Sequence, residues 1–154
     1  MKDLISKGRI EEGDIFYTNF DIINIVYKKN YKSRMRATYK QLWFPVISEY
    51  DKNTNLKTNT KGWENYYNND HSIIYERNIE NNTNNNKRDW FLKESASNKI
   101  RIVFAKEKDI FNKTCKKFVG VYRLDSWDRI RNALVWKRID CKISIPIKED
   151  NCEN

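Results

Sequence analysis

The clearest hydrophobic periodicity lies near the C-terminus. There Ile139, Cys141, Ile143, Ile145 and Ile147 alternate with Asp140, Lys142, Ser144 and Pro146. A period of two over that length predicts a half-buried strand, and the alternation makes Cys141 a small core residue. Upstream, Ile100–Ala105 and Phe118–Leu124 are dense in β-branched and aromatic residues and predict two further strands. In the N-terminal half, Ile15–Thr18, Ile22–Tyr27 and Ser72–Glu76 read the same way. Leu42–Ile47 is another apolar run, but Pro45 restricts it to an edge strand or an extended loop.

Between these runs the chain is polar. Residues 1–12 form a short amphipathic lead-in compatible with one helix, and Gly13-Asp14 is a turn signal. Residues 51–61 read as a loop, with Trp63, Tyr66 and Tyr67 as exposed aromatics beyond it. Asn81–Asn86 is close to low complexity, and residues 87–95 are compatible with a short helix carrying Trp90, Phe91 and Leu92. Only 4 Gly and 2 Pro are present, so the turns must draw on Asn and Asp. Gly120, alone inside a strand, reads as a bulge or a close packing point. Many short strands with few helices define a mainly β member of the α+β class, with a twisted, barrel-like sheet.

Length and composition narrow the picture further. A chain of 154 residues fits one domain, with 1–12 as lead-in and 148–154 as a polar tail. The formal net charge of +9 favours polyanionic partners, nucleic acid first. No apolar run approaches the roughly 20 residues of a membrane span. The segment Met1–Arg9 lacks the apolar stretch of a signal peptide, so a cytoplasmic protein with no membrane partner is expected. Cys115, Cys141 and Cys152 are odd in number and lack CxxC spacing, which argues against disulfides and a zinc site.

The strongest local signal for binding is Lys28, Lys29, Lys32, Arg34, Arg36 and Lys40. These cations are interleaved with Tyr27, Tyr31 and Tyr39 and free of acidic residues. Such a segment can neutralise phosphates while its tyrosines stack on bases. The alternative is a solvated loop or helix face. Trp43, Phe44, Trp63, Tyr66 and Tyr67 form a second set, of which Trp63, Tyr66 and Trp43 are the base-stacking candidates. Asn65, Asn68 and Asp70 are polar neighbours able to read a base edge. Trp43 and Phe44 read first as core anchors. Trp63, in what looks like a polar loop, is the better ligand.

Catalytic signals are weak. His71 is the only histidine, and Asn69, Asp70 and Ser72 make no triad around it. Glu76 with Glu80, or Asp125 with Asp128, would have to be forced into a metal site. Asp125–Asp128 reads instead as a turn or helix cap. No GxGxxG or P-loop spacing occurs. No catalytic residue, metal or cofactor is assigned, and the balance favours a binding module over an enzyme.

Phe104-Ala105-Lys106, then Lys117–Asp125, then Val135-Trp136-Lys137-Arg138-Ile139 follow the order strand, insert, F-x-G-x-Y strand, W-K-R-I strand. This arrangement resembles small β-barrel domains linked to bacterial restriction and helicase-nuclease proteins, similar in outline to the PUA, ASCH and EVE group. Leu42–Pro45 and Gly62–Asn65 fit the same outline. The resemblance implies a PUA-like pseudo-barrel that binds DNA, ahead of RNA, in some cases at a modified base. It also implies a nuclease or helicase subunit as partner, in a restriction or defence setting. Two alternatives remain: a small metal-dependent nuclease, and a protein-interaction component of a phage or toxin system.

If the segment from Lys28 to Lys40 supplies about four to six phosphate contacts, log affinity for nucleic acid should fall with log salt at a slope of about −3 to −5. Titrations across salt with wild type and with Lys32, Arg34 and Arg36 all changed to Ala test this. A salt-independent affinity, or wild-type binding by the triple variant, overturns the assignment.

Overall fold

The computed structural model describes residues 8–27, 42–47, 50–51, 55–56, 63–78, 93 and 99–144. The basic segment 28–40, the Asn-rich stretch and residues 145–154 lie outside them, as does 87–95 apart from Lys93.

The element order is β1 (Arg9–Glu11), β2 (Ile15–Phe16), α1 (Asn19–Tyr27), β3 (Leu42–Trp43), β4 (Tyr50–Asp51), β5 (Asn55–Leu56), β6 (Trp63–Tyr67), β7 (Ile73–Asn78), β8 (Ile100–Lys108), β9 (Thr114–Asp128), β10 (Ala133–Asp140) and β11 (Lys142–Ser144). The mainly β, PUA-like architecture expected from the sequence holds. The main sheet runs β3-β8-β9-β10-β7-β6, with β2 joined to β9. It is twisted but not closed by a ladder: among the described residues, β3 and β6 are its two edges. No described helix is long and apolar enough to cross a membrane.

Several elements differ from expectation. Residues 9–11 form a strand paired with 142–144 rather than part of a lead-in helix. Tyr50–Asp51 and Asn55–Leu56 form a small ladder within the expected loop. Ile22–Tyr27 is helical, not extended. Thr18 Oγ1 accepts a hydrogen bond from the Asp21 amide (3.1 Å) and caps the helix. Ile22 and Ile25 are buried, with Val26 packed beside them, which is helical spacing. Their β-branched composition is neutral enough in a packed helix for tertiary burial to decide.

Two apolar clusters lie on opposite faces of the β8–β9 region. One joins Ile10, Phe16, Ile22, Ile25, Phe104 and Phe118, with Val121 and Ile143 packed against it. The other joins Ile74, Val103, Tyr122, Leu124, Leu134 and Trp136, with Trp43, Ile47 and Tyr67 packed on it. Strand alternation assigns neighbours such as Val103 and Phe104 to different clusters.

The alternation is interrupted at Gly120. On β8, Val103 faces Gly120 and Phe104 faces Phe118, so Val119 is an extra residue. On β10, Arg138 faces Tyr122 and Asp140 faces Val121, so Ile139 is extra. Such bulges shift the phase of everything after them. This is why Ile139 is 46% exposed and Cys141 is exposed rather than buried, against the expectation for both. The expected single strand from 139 onward is broken between β10 and β11. Gly120 has φ +151°, and a Cβ there would lie 2.6 Å from Arg138 Cδ and 2.7 Å from the Asp140 carbonyl oxygen.

Gly120→Ala should therefore cost about 2–4 kcal/mol, from backbone strain and from crowding against a carbonyl that cannot swing away. Denaturant unfolding measures it. A loss under about 0.5 kcal/mol, the range of neutral surface changes, would show that the bulge imposes no such constraint.

Candidate functional site

The two edges of the open sheet approach each other through side chains. Asn65 on β6 is buried and directs its Nδ2 at the Val46 carbonyl, 3.5 Å away, in the segment just after β3. Lys106 donates its amide to Pro45 O (2.9 Å), and Val46 bridges to Lys106, so that segment is fastened to β8. A seam thus stands where a closed barrel would have a backbone ladder.

Charged and aromatic groups line this seam. Glu76, the register partner of Asn65 on β7, is 5% exposed. Its Oε1 accepts from Trp136 Nε1 at 3.2 Å. Arg101 on β8 reaches its two oxygens at 3.3 and 3.4 Å. The Arg101 guanidinium lies 4.7 Å from the Trp43 ring centroid and 4.3 Å from that of Trp136. Burying a carboxylate is tolerable only when it is paired and hydrogen-bonded, and Glu76 is both.

Asn65 is the less satisfied member. Its Oδ1 is buried and has no hydrogen-bond partner among the described residues. The Tyr67 hydroxyl, farther along β6, is likewise buried without one. Burial pushes the Tyr67 hydroxyl pKa well above the usual tyrosine range, so the group stays a proton donor. It lines a cavity of about 170 Å³ with His71, Glu12, Glu107 and Lys117.

The outer side of β6–β7 is different. Tyr66 and Tyr75 stack at 5.0 Å, Arg131 lies 4.5 Å over Tyr75, and Arg77 lies 5.7 Å over Tyr66. Arg77 also pairs with buried Glu64 at 2.5 Å.

The sequence candidates are thus dispersed. Trp63 opens strand β6, facing Asn78 in register, and is not in a loop as expected. Aromatic residues favour a pleated surface, which overrides the polar context. Trp43 stands at the seam, while Tyr66 belongs to the outer stack. Phe44 packs on Phe104 at 6.1 Å, as a core anchor should. Asn68 and Asp70 spend their side chains on the β6–β7 turn: Asn68 Oδ1 accepts from Ile73 N (2.9 Å) and Asp70 Oδ1 from the Ser72 hydroxyl (2.6 Å). His71 is exposed and stacks on Tyr67 at 4.1 Å. Lys28, Lys29, Lys32, Arg34, Arg36 and Lys40 lie outside the described residues.

The acidic pairs considered for a metal do not converge. Glu76 is committed to Arg101, and Glu80 lies outside the described residues. Asp125 belongs to β9 rather than to a turn and approaches Lys137 at 3.6 Å. Asp128 closes the β9–β10 turn. Among the described residues no group of three or more His, Cys, Asp or Glu could hold a metal ion. Sequence reasoning missed Arg101. Its signal was a lone cation inside the apolar run Ile100–Ala105, matched by a lone carboxylate within β7.

Residues 3–145 match the family model described as the SET and RING associated domain, SRA. No curated protein matches the sequence. Among solved structures, the 5-hydroxymethylcytosine-specific restriction enzyme AbaSI superposes with a TM-score of 0.67 over 94% of this chain, at 23% identity. This chain spans 44% of that one, and at this identity the likeness is one of fold.

Removing one member of the buried pair should be far more damaging than removing both. Arg101→Met leaves Glu76 buried and unpaired and should cost about 3–5 kcal/mol, whereas Arg101→Met with Glu76→Leu should recover much of that loss. Thermal or denaturant melts of the three variants, Glu76→Leu included, give the coupling. Additive losses would show that the pair is not held as described.

Proposed function

Because the chain belongs to the SET and RING associated domain family, we propose that it is a modified-DNA-reading module of a restriction system, with the seam between β3 and β6 as its base-reading site. A protein that recognises a base by its Watson–Crick edge must take that base out of the duplex stack. Cytosine presents an amino donor at N4 beside ring acceptors. The buried Oδ1 of Asn65 carries the proposal. A side-chain amide offers one acceptor and two donors, and here the acceptor is buried without a described partner. Filling it from a base amino group removes a desolvation penalty.

The surroundings support this reading. Glu76, immobilised by Arg101 and Trp136, adds fixed acceptors on the neighbouring strand. Trp43 supplies an indole wall, and Trp63, two positions before Asn65 on β6, supplies a stacking partner. The segment Lys28–Lys40 takes the phosphates. DNA rather than RNA is the ligand, and the 5-hydroxymethyl group named for AbaSI is the first modification to test. Cleavage belongs to a nuclease partner.

Equilibrium binding to duplexes that differ only in one cytosine, unmodified, 5-methyl or 5-hydroxymethyl, tests the reading. A preference of about tenfold or more for a modified form is expected, since each well-placed contact is worth about 1–3 kcal/mol. Asn65→Ala should weaken binding to all three duplexes by about tenfold, because the N4 amino group that Oδ1 would hold is common to them. Trp63→Ala should weaken binding by about tenfold while leaving the salt slope unchanged. Its melting temperature, measured on the same sample, separates stacking from unfolding. Equal affinity for all three duplexes overturns the function.

A further inference from the structure

A second buried carboxylate lies beside the first, on the other face of the sheet. Glu64 and Asn65 are neighbours on β6, and their register partners on β7 are Arg77 and Glu76. Neighbours on a strand point to opposite faces. Asn65 faces the seam and Glu64 faces outward, yet Glu64 is only 4% exposed. A carboxylate so far out of water needs a partner. Glu64 has Arg77, with Nε 2.5 Å from Oε2. Arg77 Nη1 also donates to the Arg131 carbonyl at 3.1 Å, which ties the pair to the β9–β10 turn. One register step along, Tyr66 and Tyr75 stack with their planes 27° apart. The guanidinium groups of Arg77 and Arg131 lie over these two rings, and Arg131 pairs with Asp128 at 2.9 Å. Both arginines are therefore engaged within the fold.

This outer cluster matters because β6 is an edge. Among the described residues its backbone is laddered to β7 alone. On the other flank it meets Val46 through Asn65 Nδ2 at 3.5 Å, beyond the usual hydrogen-bond range. A two-stranded hairpin is marginal by itself. The separation between the Asn65 acceptor and the Glu76 carboxylate depends on where β6 sits against β7. Glu76 is fixed from its far side by Arg101 and Trp136. The outer cluster fixes β6 in turn.

We propose that the Glu64–Arg77 pair and the Tyr66–Tyr75 stack are the positioning element of the base-reading site, holding Asn65 at a set distance from Glu76 before a base arrives. The inference rests on the base-reading function above and extends it to residues that touch no ligand. Contacts to a base edge require heavy-atom distances of about 3 Å. A displacement of about 1 Å is enough to lose what a group contributes. Stability alone does not account for the pair, since a buried ion pair adds little over apolar residues of similar volume.

A double-mutant cycle separates positioning from stability. Glu64→Gln with Arg77→Met removes the pair, leaves no charge buried and keeps the net charge of the protein. Binding to a duplex with one 5-hydroxymethylcytosine is measured for wild type, for this paired variant, for Asn65→Ala and for the combination. Each is measured at a temperature where its melting curve shows it fully folded. Asn65→Ala should weaken wild-type binding about tenfold, and the paired variant should bind about tenfold more weakly by itself. Asn65→Ala added to the paired variant should cost about threefold or less, because Asn65 is already out of place. The salt slope should stay that of wild type, since no phosphate contact is lost. A full tenfold effect of Asn65→Ala in both backgrounds overturns the proposal and leaves the pair a purely structural one. A slope lowered by about one unit overturns it too, because Arg77 would then be a phosphate ligand. If the paired variant does not fold, Tyr66→Ala, which removes the stack and leaves the pair, takes its place in the cycle with the same outcomes. A wild type indifferent to Asn65→Ala overturns the base-reading function itself, and that result appears without any variant of the outer cluster.

Discussion

A carboxylate taken out of water must find partners that replace its hydration, and Glu76 finds them on strands that are not its own. Arg101 comes from β8 and Trp136 from β10, while Trp43 from β3 covers the guanidinium. One buried charge therefore fixes the lateral positions of four strands. The energetic stake is asymmetric. Such pairs add little to stability when intact but are costly to break. Their main effect is to exclude other arrangements of the sheet, since any slip strands a charge in the interior. The Glu76 side of the seam inherits this rigidity, and groups that must meet a ligand edge benefit from being held before it arrives.

The seam also explains how a nearly barrel-shaped sheet can hold a ligand. A small closed barrel has an interior just wide enough for its own side chains or one small ligand, and no opening between its strands. Here the edges β3 and β6 meet through Asn65 and Val46 instead of a ladder, at a contact long enough to be exchanged for another. The edge strands are short, which also limits their capacity to pair with another chain.

Much of the fold was legible in the sequence, and its failures share a cause. β8 and β9 announced themselves because both carry long β-branched and aromatic runs. Leu42–Ile47 was placed at an edge from Pro45 alone, and β3 does lie there. Ile22–Tyr27 misled because a β-branched run also suits a helix once one stripe is buried. The phase of Ile139 and Cys141 was lost at the Gly120 bulge, which only the neighbouring strands reveal. Trp63 looked like loop because its asparagines did, yet its register with Asn78 makes it strand. For the site, Asn65 and Trp43 could be named from the sequence. The pairing of Glu76 with Arg101 could not, since nothing local states which carboxylate meets which cation across 25 positions.

The brevity of β3 has a kinetic side. It joins β8 through Leu42↔Ile102 and Trp43↔Val103, with the Pro45–Lys106 hydrogen bond and the Val46 bridge just beyond, across a long stretch of chain, whereas β8, β9 and β10 are linked by tight hairpins. Local contacts form early and distant ones late, so the hairpins assemble before β3 docks. The reverse order governs fluctuation in the finished protein. Detaching these few contacts requires far less free energy than melting the sheet, so amides around Leu42 and Trp43 exchange with solvent through partial opening while those of β9 wait for global unfolding. Among the strands of the main sheet this wall of the seam opens more readily than β9, and its opening leaves the rest of the sheet in place.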